Sequence, residues 1–566
     1  MNPPFGSTAL RLVSALVFLT LLPVRLPASA RGSNGIAATV QPLATDAAIA
    51  AMKKGGNAID AAVAAALTLG VVDGHNSGIG GGCFLLIRLA SGEIVAIDGR
   101  ETAPLGATRD LFLRAGKADP RLSQTGALAA AVPGALAAYD HAVRNYGKLS
   151  LKTHLLAAAQ IAEDGFHLNG SYARRIAATA DDLKQFPSSR AVYFRSDGKP
   201  FEEGELFRQP DLAKTYRAIA EVGLNWFYRG RFAALTAAWM STNGGVMTAK
   251  DFETYEIKLR EPIRTTYRGY EIAGFPPPSS GGVHVAQILN ILESFDLKKM
   301  GTGSADFIHV VTESMKLAFA DRAHWLGDPD FAPVPRGLVS NEYAAGLARQ
   351  IRLDHAATGV EHGIPAQSAS DIFGKHTTHF SAADAAGNWV ACTATINTSF
   401  GSKVVVPGTG VVLNNQMDDF SAQPGATNYF GLVGAEANAV GPGKRPLSSM
   451  SPTIVLKVGR PVLSVGAAGG PTIISQTVLA ILNVIDFEMP VDQALAQPRF
   501  HHQWRPDELK LEKRASNAVV QELEKRGHKV TLVDALGAAQ AVGVEAGTKR
   551  FLGAHDPRLE GKAAGF

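Results

Sequence analysis

The chain reads TTHFSAADAAGNWVACTATIN over residues 377–397. Two runs rich in β-branched and aromatic residues flank an Ala-Ala-Gly segment, a composition typical of two strands joined by a short loop. If Asp384 pairs with Asn388 across that loop, counting back places Thr395 directly opposite Thr377. The stretch therefore predicts an antiparallel hairpin in which two threonines face each other.

The second strand of this hairpin has one polar face. Alternation places Thr393, Thr395 and Asn397 on that face, and Cys392 on the apolar face. Such a polar stripe is either a solvent-facing surface or the lining of a site. Threonine is common in strands, so Thr377 taken alone is more often structural than catalytic.

The bulk composition describes a large globular protein. The chain has 566 residues, of which 46% are hydrophobic, enough to bury a sizeable core. Lys and Arg number 55 against 51 Asp and Glu, a formal net charge of +4. Since no long run of one sign occurs, nucleic acid is a poor candidate partner.

The N-terminus resembles an export signal. Arg11 precedes an apolar stretch over residues 12–22, and the small-residue triplet Ala28-Ser29-Ala30 follows. The stretch falls well short of the roughly 20 residues that cross a bilayer. We expect a signal peptide over residues 1–30, cleaved after Ala30, and no membrane span in the mature protein.

Other patterns predict helices, strands and two long connections. They are helices at residues 41–52 and 58–69, strands at 83–89 and 94–97, a mostly helical region at 149–315, an exposed segment at 354–375 and a lid-like loop at 421–449.

Only two cysteines occur, Cys83 and Cys392. Two are too few for a disulfide-framed secreted module. Both lie in apolar, strand-like runs, where buried free thiols are common, although a single bridge between them remains open.

Several motifs resemble, in their order and spacing, the γ-glutamyltranspeptidases of the N-terminal-nucleophile hydrolase superfamily. They are GGNAIDAA at 55–62, GIGGG at 78–82, DGRETAP at 98–104, PPPSSGG at 276–282, LGDPDF at 326–331, TTHFS at 377–381, NNQMDDF at 414–420, PLSSMSPT at 446–453 and PRFHHQW at 498–504.

The resemblance implies an α+β fold, a four-layer αββα sandwich. It also implies a precursor cut between His376 and Thr377 into a large subunit, residues 31–376, and a small subunit, residues 377–566, which associate as a heterodimer. A threonine hydroxyl is a weak nucleophile, and its own free α-amine is an established activating base. In an uncut chain that nitrogen is an amide, so the cut would be an activation step.

By position, the resemblance assigns four catalytic residues. Thr377 is the nucleophile and Thr395 orients it, in agreement with the hairpin count. Gly469 and Gly470 supply backbone N–H groups to an oxyanion hole, where small residues permit close approach.

Six further positions match the head-group site of a γ-glutamyl donor. Those for its α-carboxylate are Arg100, Ser448 and Ser449, and those for its α-ammonium are Asn397, Gln416 and Asp419. A planar guanidinium suits a carboxylate better than an ammonium group does. The implied donor is glutathione or another γ-glutamyl compound, the acceptor is water or an amino acid or peptide amine, and neither cofactor nor metal is expected.

Two rival functions remain. The first is a glutaryl or cephalosporin acylase on the same fold, whose acyl group lacks the α-amine that Asp419 would face. The second is an exported binding protein that keeps the fold without cutting itself.

Phe430 lies in the lid at the position where bacterial relatives carry tyrosine. An exported protein would be secreted, or periplasmic in a host with an outer membrane.

Overall fold

The computed structural model describes residues 29–366 and 379–566. Within these two ranges, no helix combines the length and apolar character that a membrane crossing requires. The predicted signal segment before residue 29 and the predicted cleavage site, His376 and Thr377, lie outside the described residues.

The strands are numbered in chain order. They are β1 Ser29–Gly32, β2 Gly35–Thr39, β3 Gly82–Arg88, β4 Ile94–Gly99, β5 Leu113–Arg114, β6 Lys117–Ala118, β7 Phe166–His167, β8 Leu206–Phe207, β9 Lys258–Arg260, β10 Ile263–Tyr267, β11 Tyr270–Gly274, β12 His379–Asp384, β13 Trp389–Thr395, β14 Thr453–Lys457, β15 Arg460–Ala468, β16 Phe500–His501, β17 Leu509–Glu512, β18 Val530–Val533, β19 Ala538–Val544, β20 Phe551–His555 and β21 Lys562–Gly565.

The α-helices are numbered in the same way. They are α1 Pro42–Lys53, α2 Ala58–Val72, α3 Pro120–Gln124, α4 Ala135–Tyr146, α5 Leu151–Asp164, α6 Gly170–Ala178, α7 Ala180–Lys184, α8 Pro187–Tyr193, α9 Pro210–Val222, α10 Leu224–Tyr228, α11 Arg231–Thr242, α12 Ala249–Glu253, α13 Ser280–Leu292, α14 Leu297–Met300, α15 Ala305–Trp325, α16 Asn341–Ala348, α17 Thr472–Ile485, α18 Val491–Ala496 and α19 Asn517–Lys525.

Two seven-stranded antiparallel sheets form the centre of the molecule. The first has the strand order β1-β20-β19-β15-β14-β11-β10 and the second the order β21-β2-β12-β13-β3-β4-β9. In both sheets, strands that precede residue 366 lie beside strands that follow residue 379. The two parts of the chain are therefore interleaved and do not form separate domains.

The sheets pack face to face over an apolar layer. Phe84 of the second sheet stacks on Phe275, which follows β11 of the first, with ring centroids 4.2 Å apart, and Ile454 and Val542 lie in the same buried cluster. Helices α2 and α4 cover the outer face of the second sheet, and α13 and α17 cover that of the first. The result is the predicted four-layer αββα sandwich.

The predicted hairpin is confirmed over the described residues. His379 pairs with Thr393 and Ala383 with Trp389 in the register deduced from the sequence. The backbone N–H of Asp384 donates to the Asn388 carbonyl at 3.1 Å, as the loop length requires.

The first two predicted helices and the strands that follow them are also confirmed. The side chain of Asn57 caps α2 by accepting hydrogen bonds from the backbone N–H groups of Ile59 and Asp60. The central region is mostly helical, but it also contains the five strands β7 to β11, which the sequence analysis missed. Strand β11 bonds to β14, about 180 residues later in the chain, so local sequence carries little trace of that pairing.

The described N-terminus begins within a strand. Ser29 and Ala30 pair with Ala554 and Gly553 of β20, and the Ser29 hydroxyl donates to Asp492 at 3.0 Å. Cleavage after Ala30 would remove half of β1 and leave Arg31 at the new terminus.

Candidate active site

The polar stripe of β13 faces the interior. Thr393 and Thr395 are 0% and 2% exposed, and Thr393 lies 3.2 Å from a ring nitrogen of His379. Thr395 ends the strand, and its Oγ1 accepts a hydrogen bond of 2.7 Å from the backbone N–H of Asn397. The stripe is thus buried and is not a solvent-facing surface, which leaves the lining of a site as the interpretation that the sequence offered.

Asn397 leads from the hairpin into the next part of the site. Its backbone adopts φ +79°, a conformation that asparagine tolerates better than most residues. Its side-chain amide donates to the backbone carbonyl of Asn415 at 3.0 Å. Asn415 immediately precedes a 3₁₀ turn, Gln416–Asp419, that carries two further candidates.

Arg100 and Asp419 form a buried ion pair. Arg100 follows β4, is fully buried, and donates through Nη2 to Asp419 Oδ2 at 2.7 Å and through Nη1 to Glu101 Oε2 at 3.1 Å. Gln416 Nε2 donates to the same oxygen of Asp419 at 3.1 Å. The groups expected to bind opposite ends of a zwitterion therefore bind each other in this structure.

Two atoms beside this ion pair are buried without a hydrogen-bond partner among the described residues. They are the donor Nε of Arg100 and the acceptor Oε1 of Gln416. Buried polar atoms are nearly always satisfied, because leaving one unpaired costs about 1–3 kcal/mol. An unused donor on a cation and an unused acceptor beside a carboxylate are suited to a ligand that carries both a carboxylate and an ammonium.

Ser448 and Ser449 are fully buried at the end of the long loop. The Ser448 carbonyl accepts a 3.0 Å hydrogen bond from the backbone N–H of Ser280, at the start of α13. The guanidinium of Arg322, on α15, lies 3.5 Å from the Ser449 hydroxyl through Nη2. Two helices thus hold this pair of serines in place.

Gly469 and Gly470 connect β15 to α17. Their φ angles are +132° and +61°, values that favour glycine. A Cβ on Gly470 would lie 2.5 Å from the ring of Phe430, so the lid loop packs directly on this turn. The Phe430 carbonyl accepts a hydrogen bond of 3.2 Å from Gln503, which holds the lid from the other side.

The lid lines a small cavity of about 30 Å³, whose lining also includes Arg322, Asp418 and Asp419. Asp418 holds the lid by accepting a 2.9 Å hydrogen bond from the backbone N–H of Tyr429, and it also accepts one from Ser123 at 2.6 Å. Burial raises the pKa of Asp418. Phe430 has no hydroxyl with which to reach Asn397.

The structure connects most of the described candidates through two series of contacts, and Ser448 and Ser449 reach them only through Arg322, which lines the same cavity as Asp419. One branch joins Thr395 to Asn397 and the 3₁₀ turn, and another joins Asp419 through the lid to Gly470. The predicted pairing of Thr377 with Thr395 lies outside the described residues.

Glu101 and Arg322 are site residues that the sequence analysis did not single out. Glu101 lies inside the quoted DGRETAP motif without an assigned role. Arg322 belongs to a long buried helix, and its place in the site depends on how α15 packs against the rest of the molecule.

One group among the described residues has the composition of a metal site. Ligand atoms of His309, Glu313 and His528 lie within 4.8 Å of one another. However, the two imidazoles bond to each other at 2.7 Å, and the Lys316 ammonium lies 3.0 Å from Glu313. These contacts already use the groups that would hold an ion, and none of the four residues belongs to the candidate site.

The chain is similar to a family and to several proteins of known function. The model of the family "Gamma-glutamyltranspeptidase" matches residues 44–566. The glutathione hydrolase proenzyme of Escherichia coli strain K12 is 44% identical over 547 residues, which cover 95% of this chain and 92% of that protein.

Acylases are also similar to this chain. The acylase ACY 1 proenzyme of Pseudomonas sp. strain SE83 is 39% identical over 510 residues, 88% of each chain. The crystal structure of a cephalosporin acylase from Bacillus halodurans superposes with a TM-score of 0.85 at 30% identity, covering 96% of this chain and 98% of that one.

Proposed function

Because this chain belongs to the γ-glutamyltranspeptidase family, we propose that it is a glutathione hydrolase that activates itself by cutting its own backbone before Thr377. The cut yields a large subunit, residues 31–376, and a small subunit, residues 377–566, which remain associated. The interleaved strands of the two sheets support this association.

The cut follows from the chemistry of threonine. The Thr377 hydroxyl attacks the carbonyl carbon of His376, the C–N bond of that peptide breaks, and the acyl group moves from nitrogen to oxygen. Water then hydrolyses the ester, which leaves a carboxylate on His376 and a free amine on Thr377. That amine has a reference pKa of roughly 7.7 to 8.0, so a substantial neutral fraction exists near neutral pH.

The same hydroxyl then attacks the γ-carbonyl of the donor. The α-amine of Thr377 takes the hydroxyl proton and later gives a proton to the departing amine. Backbone N–H groups at Gly469 and Gly470 stabilise the oxyanion of the tetrahedral intermediate. Water or an acceptor amine attacks the resulting γ-glutamyl ester and restores the threonine.

The head-group pocket is the observation that carries this proposal. A γ-glutamyl donor has a free α-carboxylate and α-ammonium, which match the unused donor of Arg100 and the unused acceptor of Gln416. The donor would exchange the Arg100–Asp419 ion pair for two ion pairs of its own. Because the cavity of about 30 Å³ is small for a γ-glutamyl donor, we expect the lid to move when a donor enters.

An acylase specificity is less well supported. A glutaryl group has the carboxylate but lacks the ammonium, so it would leave Asp419 and Gln416 Oε1 without a cation to face. Burying a carboxylate without a compensating charge is costly. The higher identity to the glutathione hydrolase proenzyme, 44% against 39%, points in the same direction.

The test is N-terminal sequencing and intact mass of the purified wild type and of Thr377→Ala. We expect two wild-type fragments, the smaller beginning TTHFS, and an uncut mutant. An uncut, folded and inactive wild type would overturn the assignment in favour of a binding protein. Parallel assays with γ-glutamyl and glutaryl p-nitroanilides decide the donor, because preference for the glutaryl compound would indicate an acylase.

We also propose that the protein is exported, on the basis of its predicted signal peptide. The same sequencing run tests this, since the larger fragment of exported protein should begin at Arg31. A start at Met1 in protein from the native host would contradict export by a cleaved signal.

A further inference from the structure

Arg322 is exceptional among the buried arginines. Five arginines in residues 29–366 and 379–566 are less than 10% exposed, and four of them form an ion pair with an aspartate. These four are Arg100, Arg260, Arg445 and Arg499. Arg322 is 4% exposed, yet no carboxylate of the described residues lies within ion-pair distance of it. A buried charge is costly unless it is compensated, so the role of this cation needs an explanation.

Among residues 29–366 and 379–566, the guanidinium of Arg322 donates hydrogen bonds only to neutral groups, and these belong to Ser280, Ser448 and Ser449. Nε donates to the Ser280 hydroxyl at 3.1 Å, and Nη2 lies 3.4 Å from the Ser448 carbonyl and 3.5 Å from the Ser449 hydroxyl. The contacts of Nη2 are long, so they compensate the charge weakly. The planar guanidinium therefore fixes the position of the two serines while its charge remains available.

That charge lies beside the donor site. Arg322 lines the same cavity as Asp419, and burial lowers its pKa to about 10 while the charge of Asp419 opposes that shift. It therefore stays protonated at neutral pH. Arg100 and Arg322 are the cations beside three acidic groups, Glu101, Asp418 and Asp419, so removing Arg322 makes the pocket more negative. A more negative pocket repels a carboxylate but not an ammonium.

We propose that Arg322 is a positioning residue for the α-carboxylate of the donor. It holds Ser448 and Ser449 in place and supplies a second positive charge to the head-group pocket. This inference rests on the proposed γ-glutamyl specificity. Helix α15, which lies outside the motifs that define the pocket, would thus contribute to donor selection.

The experiment compares two donors that differ only in the α-carboxylate, γ-glutamyl p-nitroanilide and 4-aminobutyryl p-nitroanilide. For Arg322→Gln we expect KM for the γ-glutamyl donor to rise at least about 10-fold with kcat within about 3-fold, because ground-state binding is lost. For the 4-aminobutyryl compound we expect kcat/KM, or its inhibition constant where turnover is slow, to change less than about 3-fold.

Three further variants make the comparison specific. Arg322→Lys keeps the positive charge but lacks the planar guanidinium. Its KM for the γ-glutamyl donor should lie between those of the wild type and Arg322→Gln. Ser280→Ala removes the acceptor of Nε and the hydroxyl that donates to the Ser448 carbonyl, keeps the charge of Arg322, and should raise KM for the γ-glutamyl donor a few-fold. The control is Arg264→Gln, which removes an exposed arginine on β10 and should leave both donors unaffected.

Two outcomes would overturn the inference. One is an equal loss of kcat/KM with both donors, which would indicate a general structural role. The other is an unchanged KM in properly processed Arg322→Gln. If Arg322→Gln fails to process or fold, Arg322→Lys decides by the same donor comparison. A wild type inactive on γ-glutamyl compounds would instead refute the proposed function itself.

Discussion

The absence of a side chain at Gly470 allows the lid to pack against the turn after β15. Its backbone has φ +61°, and the position that a Cβ would occupy lies 2.5 Å from the Phe430 ring. A methyl group there must displace either the lid or the turn whose N–H groups are proposed to stabilise the oxyanion. The requirement for glycine is therefore both steric and conformational.

We predict that Gly470→Ala lowers kcat by roughly 100-fold, the typical cost of losing one oxyanion donor. Steady-state kinetics on γ-glutamyl p-nitroanilide measures it, with processing followed on a gel. Gly459→Ala is the matched control, since Gly459 also has positive φ, +71°, but no atom within 4 Å of its would-be Cβ. Equal kcat values for the two variants would show that the contact with Phe430 does not matter.

The motifs predicted Arg100, Asp419 and the paired serines as members of one pocket. Arg100 and Asp419 form an ion pair, and the serines contact Arg322, which lines the same cavity as Asp419. The sequence did not predict Arg322 as a site residue, because its neighbours along α15 are also buried. Nothing in the local sequence distinguishes it from a structural residue. Its role becomes visible only when the turn at Ser448 is seen to pack against the helix.

Asp384 connects two structural elements through one carboxylate. Its Oδ1 accepts from the backbone N–H of Asn388 at 3.0 Å, which closes the β12–β13 hairpin. Its Oδ2 accepts from the backbone N–H of Ala58 at 2.9 Å, at the start of α2. The hairpin that carries Thr395 is thus fixed to the helix beneath it.

We predict that Asp384→Ala lowers the free energy of unfolding by about 2–3 kcal/mol, because buried hydrogen bonds to a charged group are lost and their donors are left unpaired. Urea unfolding followed by circular dichroism measures the change. Asp384→Asn keeps an acceptor for the turn and should cost less. If Asp384→Ala instead unfolds at the same urea concentration as wild type, the carboxylate does not fix the hairpin to α2.

The elements predicted best are those specified by local sequence. The β12–β13 register follows from the length of its loop, and the start of α2 follows from Asn57. The β10–β11 hairpin, Ile263–Gly274, was missed because it is flanked by helical sequence and its partner β14 lies far along the chain.

Cys83 and Cys392, on neighbouring strands, are both buried and free, which leaves the molecule without a disulfide between its described residues.

Across the whole molecule, buried histidines dominate the expected response to mild acid. Burial lowers the pKa of five of them to about 3: His75, His284, His379, His501 and His528. In the unfolded chain these groups titrate near pH 6.5. Between these values the unfolded state binds more protons than the folded state, so stability falls as the pH falls.

We predict that the free energy of unfolding decreases from about pH 6.5 downwards, by at most about 1.4 kcal/mol per pH unit for each histidine. Burial raises the pKa of Asp73 to about 7, and its protonation in the folded state opposes this trend by one proton against five. Urea midpoints between pH 7.5 and 4.5 test this, a range in which most carboxylates are still ionised. His528→Gln should reduce the slope. A midpoint independent of pH over this range would contradict the neutral state of these side chains.

Because the strands are interleaved, cutting the chain changes the molecularity of its refolding. An intact precursor that unfolds can refold in a unimolecular reaction, at a rate independent of protein concentration. After cleavage before Thr377, each sheet needs strands from two separate polypeptides, so refolding becomes bimolecular and must also overcome the lost entropy of association. After activation, refolding of the enzyme would thus depend on the protein concentration. The mature enzyme would then stay folded because its unfolding is slow.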